Sequence, residues 1–243
     1  MICDAHCHLD LMDNMLELIS EAQRSNVKIF AVGTTPRAYS KEIQFCKNVR
    51  NIKVGLGMHP QLVSSDYDDL RLFKSLFEES YYIGEVGLDF SRNYIHTKEL
   101  QINRFIEIIK LCEQYGERVV SIHSLKSTSI VIKILEEYRR QSNNKYIFHW
   151  FTGSTAQLEK IIRFGGYFSV NPNMLKTKSG IDIIKALPVK RILLETDAPF
   201  TFNVQNVDEI EEKLKKTVLK ISDIVGNDMM DIICENSKEV FKR

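Results

Sequence analysis

The sequence predicts an α/β protein: a closed (β/α)8 TIM barrel with an extra C-terminal helix, in one domain over residues 1–243. Three observations predict it. Apolar runs of strand length alternate with amphipathic runs of helix length from end to end, which implies a parallel sheet. The runs number eight, as a closed barrel requires. No Gly/Ser-rich linker, low-complexity tract or charge run divides the chain.

Strands are expected at Ile2–Ala5, Lys28–Val32, Lys53–Gly57, Tyr82–Val86, Arg118–Ile122, Lys145–His149, Gly166–Val170 and Arg191–Glu195. Helices are expected around Met12–Arg24, Tyr39–Asn48, Asp68–Glu79, Lys98–Tyr115, Thr128–Arg140, Thr155–Phe164 and Gly180–Leu187. The next, Val207–Val225, carries Val207, Ile210, Leu214, Val218, Ile221 and Val225 on one stripe at helical spacing. A last helix, about Met229–Lys242, closes the chain. An open doubly wound sheet is the alternative, but it neither needs eight strands nor brings their ends together. Pro36, Pro60, Pro172 and Pro199 come shortly after strand ends. They read as stiffeners of the loops at the C-terminal face, or as ordinary turn prolines.

Composition narrows the partners. With 44% hydrophobic residues, 243 residues bury one large core. A formal net charge of +1 gives no long-range pull on nucleic acid, so such binding must come from a local basic patch. No run approaches the roughly 18 apolar residues of a membrane span. The N-terminus lacks the basic-then-apolar pattern of a secretory signal. The five cysteines are odd in number and show no disulfide spacing, which fits a reducing, cytoplasmic setting. Strand alternation sets Cys3 and Cys7 opposite His6 and His8, facing the helices as core filler rather than as zinc ligands.

The chemistry is carried by histidines. Five of the six, His6, His8, His59, His123 and His149, fall at strand ends. His6 and His8 are two apart, so in a strand they share a face and make half a metal site. Glu85 ends the fourth strand and Asp197 follows the eighth. Singly, each has a plain alternative: Glu85 a lysine-paired core acid, Asp197 a helix N-cap, His123 or His149 a hydrogen-bonded core residue. Jointly, four imidazoles and two carboxylates at one barrel mouth can hold two divalent ions, with one carboxylate bridging. Two ions roughly 3.5–4 Å apart activate a shared water and clamp the oxygens of the group being cleaved. This N/O donor set, without thiolate, suits Zn, Mn, Fe or Mg. His96, on the loop or first turn before the fourth helix, has no assigned role.

These residues lie in a run of motifs: Asp4-Ala5-His6-Cys7-His8-Leu9-Asp10, Gly57-Met58-His59-Pro60, Gly84-Glu85-Val86-Gly87-Leu88-Asp89, His123, His149-Trp150-Phe151-Thr152-Gly153 and Glu195-Thr196-Asp197-Ala198-Pro199. The set resembles the TatD family of metal-dependent deoxyribonucleases, within the metallo-dependent hydrolase (amidohydrolase-like) superfamily. The resemblance implies that His6 and His8 hold one metal and His123 and His149 the other, with Glu85 bridging. It implies that Asp197 ligates the first metal and orients or deprotonates the attacking water. His59 would touch the substrate phosphate or leaving oxygen rather than a metal. More narrowly, His59-Pro60-Gln61-Leu62, Ser121-Ile122-His123-Ser124, Phe148-His149-Trp150-Phe151-Thr152-Gly153-Ser154 and Tyr167-Phe168-Ser169-Val170 resemble the QatD nucleases. That likeness implies a part in a Qat-type anti-phage defence system, beside its other proteins.

Two departures from the family pattern bear on substrate. The arginine usual two positions after the strand-five histidine is replaced by Leu125, with Lys126 beside it, a point charge without a bidentate fork. The proline- and arginine-containing segment usual after the strand-eight Asp is replaced by Thr201-Phe202-Asn203-Val204-Gln205-Asn206. The catalytic-face loops otherwise offer Arg37, Arg92, Lys126, Lys176 and Lys178 as cations, with Phe90, Tyr94, Trp150, Phe151, Phe200 and Phe202 as rings. Cations beside rings are what single-strand or frayed-end DNA needs. Lys126, Trp150, Lys176 and Lys178 are therefore the expected substrate contacts. The competing readings are hydrolysis of a small-molecule ester, amide or lactone, and a metal-binding subunit of a defence assembly.

Overall fold

The structure is a computed structural model that describes residues 1–64, 69–140 and 142–242. Eight parallel strands close a barrel in chain order: β1 (Ile2–Cys7), β2 (Val27–Val32), β3 (Ile52–Met58), β4 (Tyr82–Asp89), β5 (Val119–Leu125), β6 (Lys145–His149), β7 (Tyr167–Val170) and β8 (Ile192–Leu194). Around it lie α1 (Met15–Ala22), α2 (Pro36–Cys46), α3 (Asp69–Phe77), α4 (Lys98–Tyr115), α5 (Thr128–Tyr138), α6 (Thr155–Arg163), α7 (Lys178–Ala186), α8 (Val207–Val225) and α9 (Met230–Val240). The predicted class and the extra C-terminal helix are both present. The expected third helix began at Asp68, which lies outside the described residues.

Boundaries moved where local chemistry outweighed hydropathy. Pro36 starts α2 three residues before the expected Tyr39, because proline is preset for the first helical position. β4 and β5 run on to Asp89 and Leu125, so His123 sits inside a strand rather than at its end. β8 stops at Leu194, leaving Glu195 and Asp197 on the loop.

The side-chain parity of β1 differs from the expectation. Cys3 and Ala5 belong to an inner apolar cluster with Phe30, Val32, Ile147, Tyr167 and Leu193, whereas Cys7 belongs to the shell between strands and helices. Cys3 therefore faces into the barrel, not toward the helices. The reason is a register shift between Asp4 and Cys7 against β2. Strict alternation breaks there, and an irregularity of this kind re-aims side chains beside a site. Both thiols are free, buried and raised in pKa by burial, so they pack as small hydrophobes.

The inner cluster plugs the end of the barrel remote from the histidines, with Phe241, just past α9, stacked on Tyr82 and packed edge-on to Phe30. The β1–β8 seam pairs only at Asp4 and Leu194. Polar contacts reinforce it: the buried Asp4 carboxylate accepts from Thr196 N (2.9 Å) and Thr196 Oγ1 (2.5 Å). Asp197 N donates to His6 O and His8 N to Ala198 O, both at 2.9 Å.

Glycine is required where β4 meets β5. Gly87 has φ +143°, and a Cβ there would lie 2.0 Å from His123 O. Gly87→Ala should therefore lower stability by at least about 2 kcal/mol, since backbone has no rotamer to yield. Thermal melting checks this; an unchanged melting temperature would show that β5 can shift.

Glu42, on α2, is only 2% exposed, and neither carboxyl oxygen has a hydrogen-bond partner among the described residues. Burial, and then Asp10, push its pKa up to about 8, against the opposing pull of His8. The folded chain keeps this proton where the unfolded chain has lost it, so stability falls as pH rises from about 4.5 towards 8. Glu42→Gln should flatten that decline, gaining little at acid pH and most above neutrality. Melting temperatures measured across pH would reveal it, and parallel profiles for the two proteins would refute it.

Candidate metal centre

Five of the six expected ligands line one cavity at the C-terminal ends of the strands, and the sixth, His6, is fully buried against Glu85. Glu85 is at its centre, 1% exposed, and its two oxygens face different imidazoles. Oε2 lies 3.4 Å from both His6 Nε2 and His8 Nε2, which are themselves 3.2 Å apart. Asp197 Oδ1 joins this first group, 3.5 Å from His8 Nε2 and 3.8 Å from His6 Nε2. Oε1 lies 2.7 Å from His123 Nδ1 and 2.9 Å from His149 Nε2, with 3.4 Å between those nitrogens. One carboxylate thus joins two clusters of donor atoms.

Two of the other ring nitrogens are hydrogen-bonded from behind, a third faces a carboxylate, and His8 Nδ1 has no hydrogen-bond partner among the described residues. His6 Nδ1 is 2.8 Å from Ser121 Oγ, and His123 Nε2 is 3.1 Å from Asp89 Oδ2. His149 Nδ1 has Glu195 Oε1 at 3.6 Å, an ion-pair distance rather than a hydrogen bond. Glu195 in turn accepts from Ser169 Oγ and, at 3.2 Å, from Asn171 Nδ2. Such backing orients a ligating imidazole and aims its remaining lone pair forward.

The electrostatics fit a cation site. Burial opposes the charge on Glu85, but the surrounding imidazoles, His59 and His149 foremost, hold its pKa well below the usual carboxylate range. Burial also opposes charge on His8, His123 and His149, yet neighbouring carboxylates raise all three, His8 to about 9. Burial, and then His149, push His6 down to about 3. Facing nitrogen lone pairs and a carboxylate repel one another unless positive charge stands between them, and protons are what the chain alone can supply. A donor set of imidazole nitrogens and carboxylate oxygens, free of thiolate, suits divalent cations.

His59 comes closer to this centre than expected, with Nε2 3.3 Å from Glu85 Oε2, so that His59, Glu85 and His123 form a further trio of potential ligands. Its tautomer separates it from the others. His59 Nδ1 accepts from the backbone N–H of Gln61 at 3.2 Å. The neutral ring therefore carries its proton on Nε2, and a protonated nitrogen donates a hydrogen bond rather than a lone pair. His59 pKa is lowered, chiefly by burial, which favours that neutral form.

The cavity above has a volume of about 630 Å³, within the range of small-ligand pockets. Thr34, His59, Gln61, Ser124 and Thr152 supply polar lining, while Leu11, Leu62, Leu125, Trp150 and Phe200 supply apolar lining. Phe200 is 67% exposed and meets His8 edge-on, their ring centroids 5.1 Å apart. Trp150, Lys126 and Asp197 all have positive φ (37°, 54° and 52°), backbone strain of the kind that collects at functional sites.

Several expected substrate contacts are elsewhere. No Lys or Arg is among the described residues that line the cavity. Lys126 lines an adjacent cleft that shares Leu125 and Thr152 with it. Lys176 Nζ donates to Asn173 Oδ1 (2.6 Å) and Lys178 Nζ to Asp182 Oδ2 (2.9 Å). Arg37 pairs with Asp69 at 2.8 Å, and Arg92 is exposed. Phe151 is buried core, and Phe90 and Phe202 pack against it. Sequence reasoning gave no role to Gln61, Asp89, Ser121 or Glu195. A signal existed for two of them: Asp89 lies four residues after Glu85 and Glu195 two before Asp197, spacings that share a face in extended chain.

Comparison with known proteins agrees with this architecture. The family model described as TatD related DNase matches residues 3–242. Deoxyribonuclease TATDN3 of Homo sapiens is 25% identical over 264 aligned positions, covering 100% of this chain and 95% of that protein. An uncharacterized metal-dependent hydrolase of Buchnera aphidicola is 29% identical over 213, covering 82% and 78%. Among solved structures, YjjV, a TatD homologue from Escherichia coli, matches with a TM-score of 0.85 at 22% identity, covering 100% of this chain and 98% of that one. A match over almost the whole sequence decides the matter: the chain belongs to the TatD-related DNase family.

Proposed function

We propose that this chain is a metal-dependent phosphodiesterase that hydrolyses DNA at ends or in single strands, using two divalent cations shared across Glu85. The observation that carries the reading is the division of the Glu85 carboxylate, with Oε2 facing His6 and His8 and Oε1 facing His123 and His149. His6, His8, Asp197 and Glu85 would hold one ion, and His123, His149 and Glu85 the other. When bound, such ions (Zn, Mn, Mg or Fe) polarise a phosphoryl oxygen and lower the pKa of water. The buried carboxylate of Asp197 is held below its ordinary pKa, so it is ionised and able to take the proton of the attacking water. As the new P–O bond forms and the old one breaks, His59 Nε2–H is the donor facing the phosphate or leaving oxygen. Trp150 and Phe200 offer faces to unpaired bases, and Lys126, on the neighbouring cleft, is the cation best placed for the next phosphate.

The likeness to QatD nucleases supports a place in a Qat-type anti-phage system with its other proteins as partners. Five free cysteines suit the cytoplasm. Among the described residues no helix is long and apolar enough to cross a membrane. A second reading, hydrolysis of a small-molecule ester, amide or lactone, is favoured by one observation: the lining among the described residues is largely apolar and lacks Lys and Arg.

A cleavage assay on end-labelled single- and double-stranded DNA with added Mn, Mg or Zn, beside generic esters, amides and lactones, tests the choice. DNA cleavage that chelators abolish is expected; turnover of small substrates alone would overturn the DNA reading. Glu85→Gln should cut kcat/KM more than about 100-fold and weaken metal binding while the metal-free fold persists. Asp197→Asn should lower kcat by roughly 10²–10⁴-fold with DNA still bound.

Binding at varied salt separates the cations. Lys126→Ala should raise KM and reduce the slope of log affinity against log salt by about 1, with metal content unchanged. Lys176→Ala and Lys178→Ala, whose ammonium groups already have partners, should do less. An unaltered slope in all three variants would remove the lysines from the substrate path.

A further inference from the structure

We propose that Asp89 is a positioning residue which fixes His123 as a metal ligand through Nδ1. The inference rests on the metal-centre reading above. Asp89 is fully buried at the end of β4, and both its carboxylate oxygens are engaged. Oδ1 accepts from Ser91 N at 2.8 Å. Oδ2 accepts from Gln61 Nε2 at 2.7 Å and lies 3.1 Å from His123 Nε2. Both oxygens already accept from N–H donors, so the carboxylate offers His123 an acceptor. His123 Nε2 must therefore be the donor, which leaves Nδ1, 2.7 Å from Glu85 Oε1, to carry the lone pair.

The socket is built for this. Gln101, buried on α4, accepts from Asp89 N at 2.8 Å and donates to Asp89 O at 3.1 Å. Its amide also reaches Tyr94 O and Thr97 Oγ1, so loop and helix together hold Asp89 in place. Closing the β4–α4 loop needs only the Ser91 bond. It does not explain why the second oxygen faces His123.

Gln61 extends the arrangement to the neighbouring ring. Its side chain feeds Asp89 Oδ2, and its backbone N–H holds His59 Nδ1 at 3.2 Å. The His59 and His123 rings are 4.9 Å apart, yet they are set in opposite senses. His123 presents a lone pair through Nδ1, while His59 presents a proton through Nε2. One glutamine on the His59-Pro60-Gln61 turn thus touches the settings of both a ligand and a donor.

Asp89→Asn is a sharp test, because an amide has one accepting oxygen. Whichever way it turns, its NH2 opposes Ser91 N–H or the His123–Gln61 pair. Calorimetric titration with Mn or Zn should give a Kd for one of the two ions raised about 10–100-fold. Gln61→Ala, which leaves the His123–Asp89 bond intact, should change that Kd by less. If Asp89→Asn does not fold, the wild-type protein still decides. Loaded with NMR-active cadmium and carrying isotope-labelled imidazoles, it should show metal–nitrogen coupling at His123 Nδ1, with Nε2 protonated, and none at His59. Coupling at His123 Nε2, or unaltered affinity in a folded Asp89→Asn, would overturn the proposal. Wild type that binds no divalent ion would instead overturn the metal-centre reading beneath it.

Discussion

Five imidazoles crowd around the buried carboxylate of Glu85, and much of the barrel is explained by what that crowding demands. An isolated buried anion would shed its charge. Here the histidines keep it ionised, and they reach it because the strands are irregular where they must be. The register shift in β1 turns His6 inward after Ala5, and the shift in β4 between Ile83 and Val86 falls at Glu85 itself. Gly87 lets the β5 backbone approach closely enough for His123 to meet Oε1. The polar centre then stands on an apolar floor of Phe30, Ile147, Tyr167 and Leu193, which seals the barrel from below. Stability is concentrated in that floor and in the shell against the helices, leaving the upper layer to polar groups that a core alone would not tolerate.

The histidines were legible because they are rare and clustered toward the C-terminal ends of strands, and no packing rule asks for that. The fold was legible for a similar reason, since alternation repeated eight times leaves few topologies. What escaped was whatever depends on parity or on distant partners. Cys3 faces inward because a register shift breaks strict alternation, and hydropathy does not register a shift between two apolar strands. Asp89 and Glu195 received no role because their partners, His123 and His149, lie on other strands. Lys176 and Lys178 read as free cations because their partners, Asn173 and Asp182, are visible only once the turn before α7 and its first turn are built.

The cavity mouth adds a constraint on how affinity is distributed. Its described lining carries no Lys or Arg, and the chain as a whole has a formal net charge of +1. Neither long-range steering nor a local cationic wall draws an anion to the floor. On the proposed reading, the positive partners of a scissile phosphate there are the bound divalent ions themselves, with His59 Nε2–H beside them. Substrate and cation affinity are then linked, and linkage is reciprocal: whatever tightens one tightens the other by the same factor. On the same reading, the apolar rim of Leu11, Leu62, Leu125 and Phe200 would act on a different part of the substrate, since burial of a base or other flat group is indifferent to phosphate charge. Attraction to the anion therefore resides in the centre and discrimination among its flanking groups in the rim. In this family member, changes at the rim can alter what is bound without disturbing how it is cleaved.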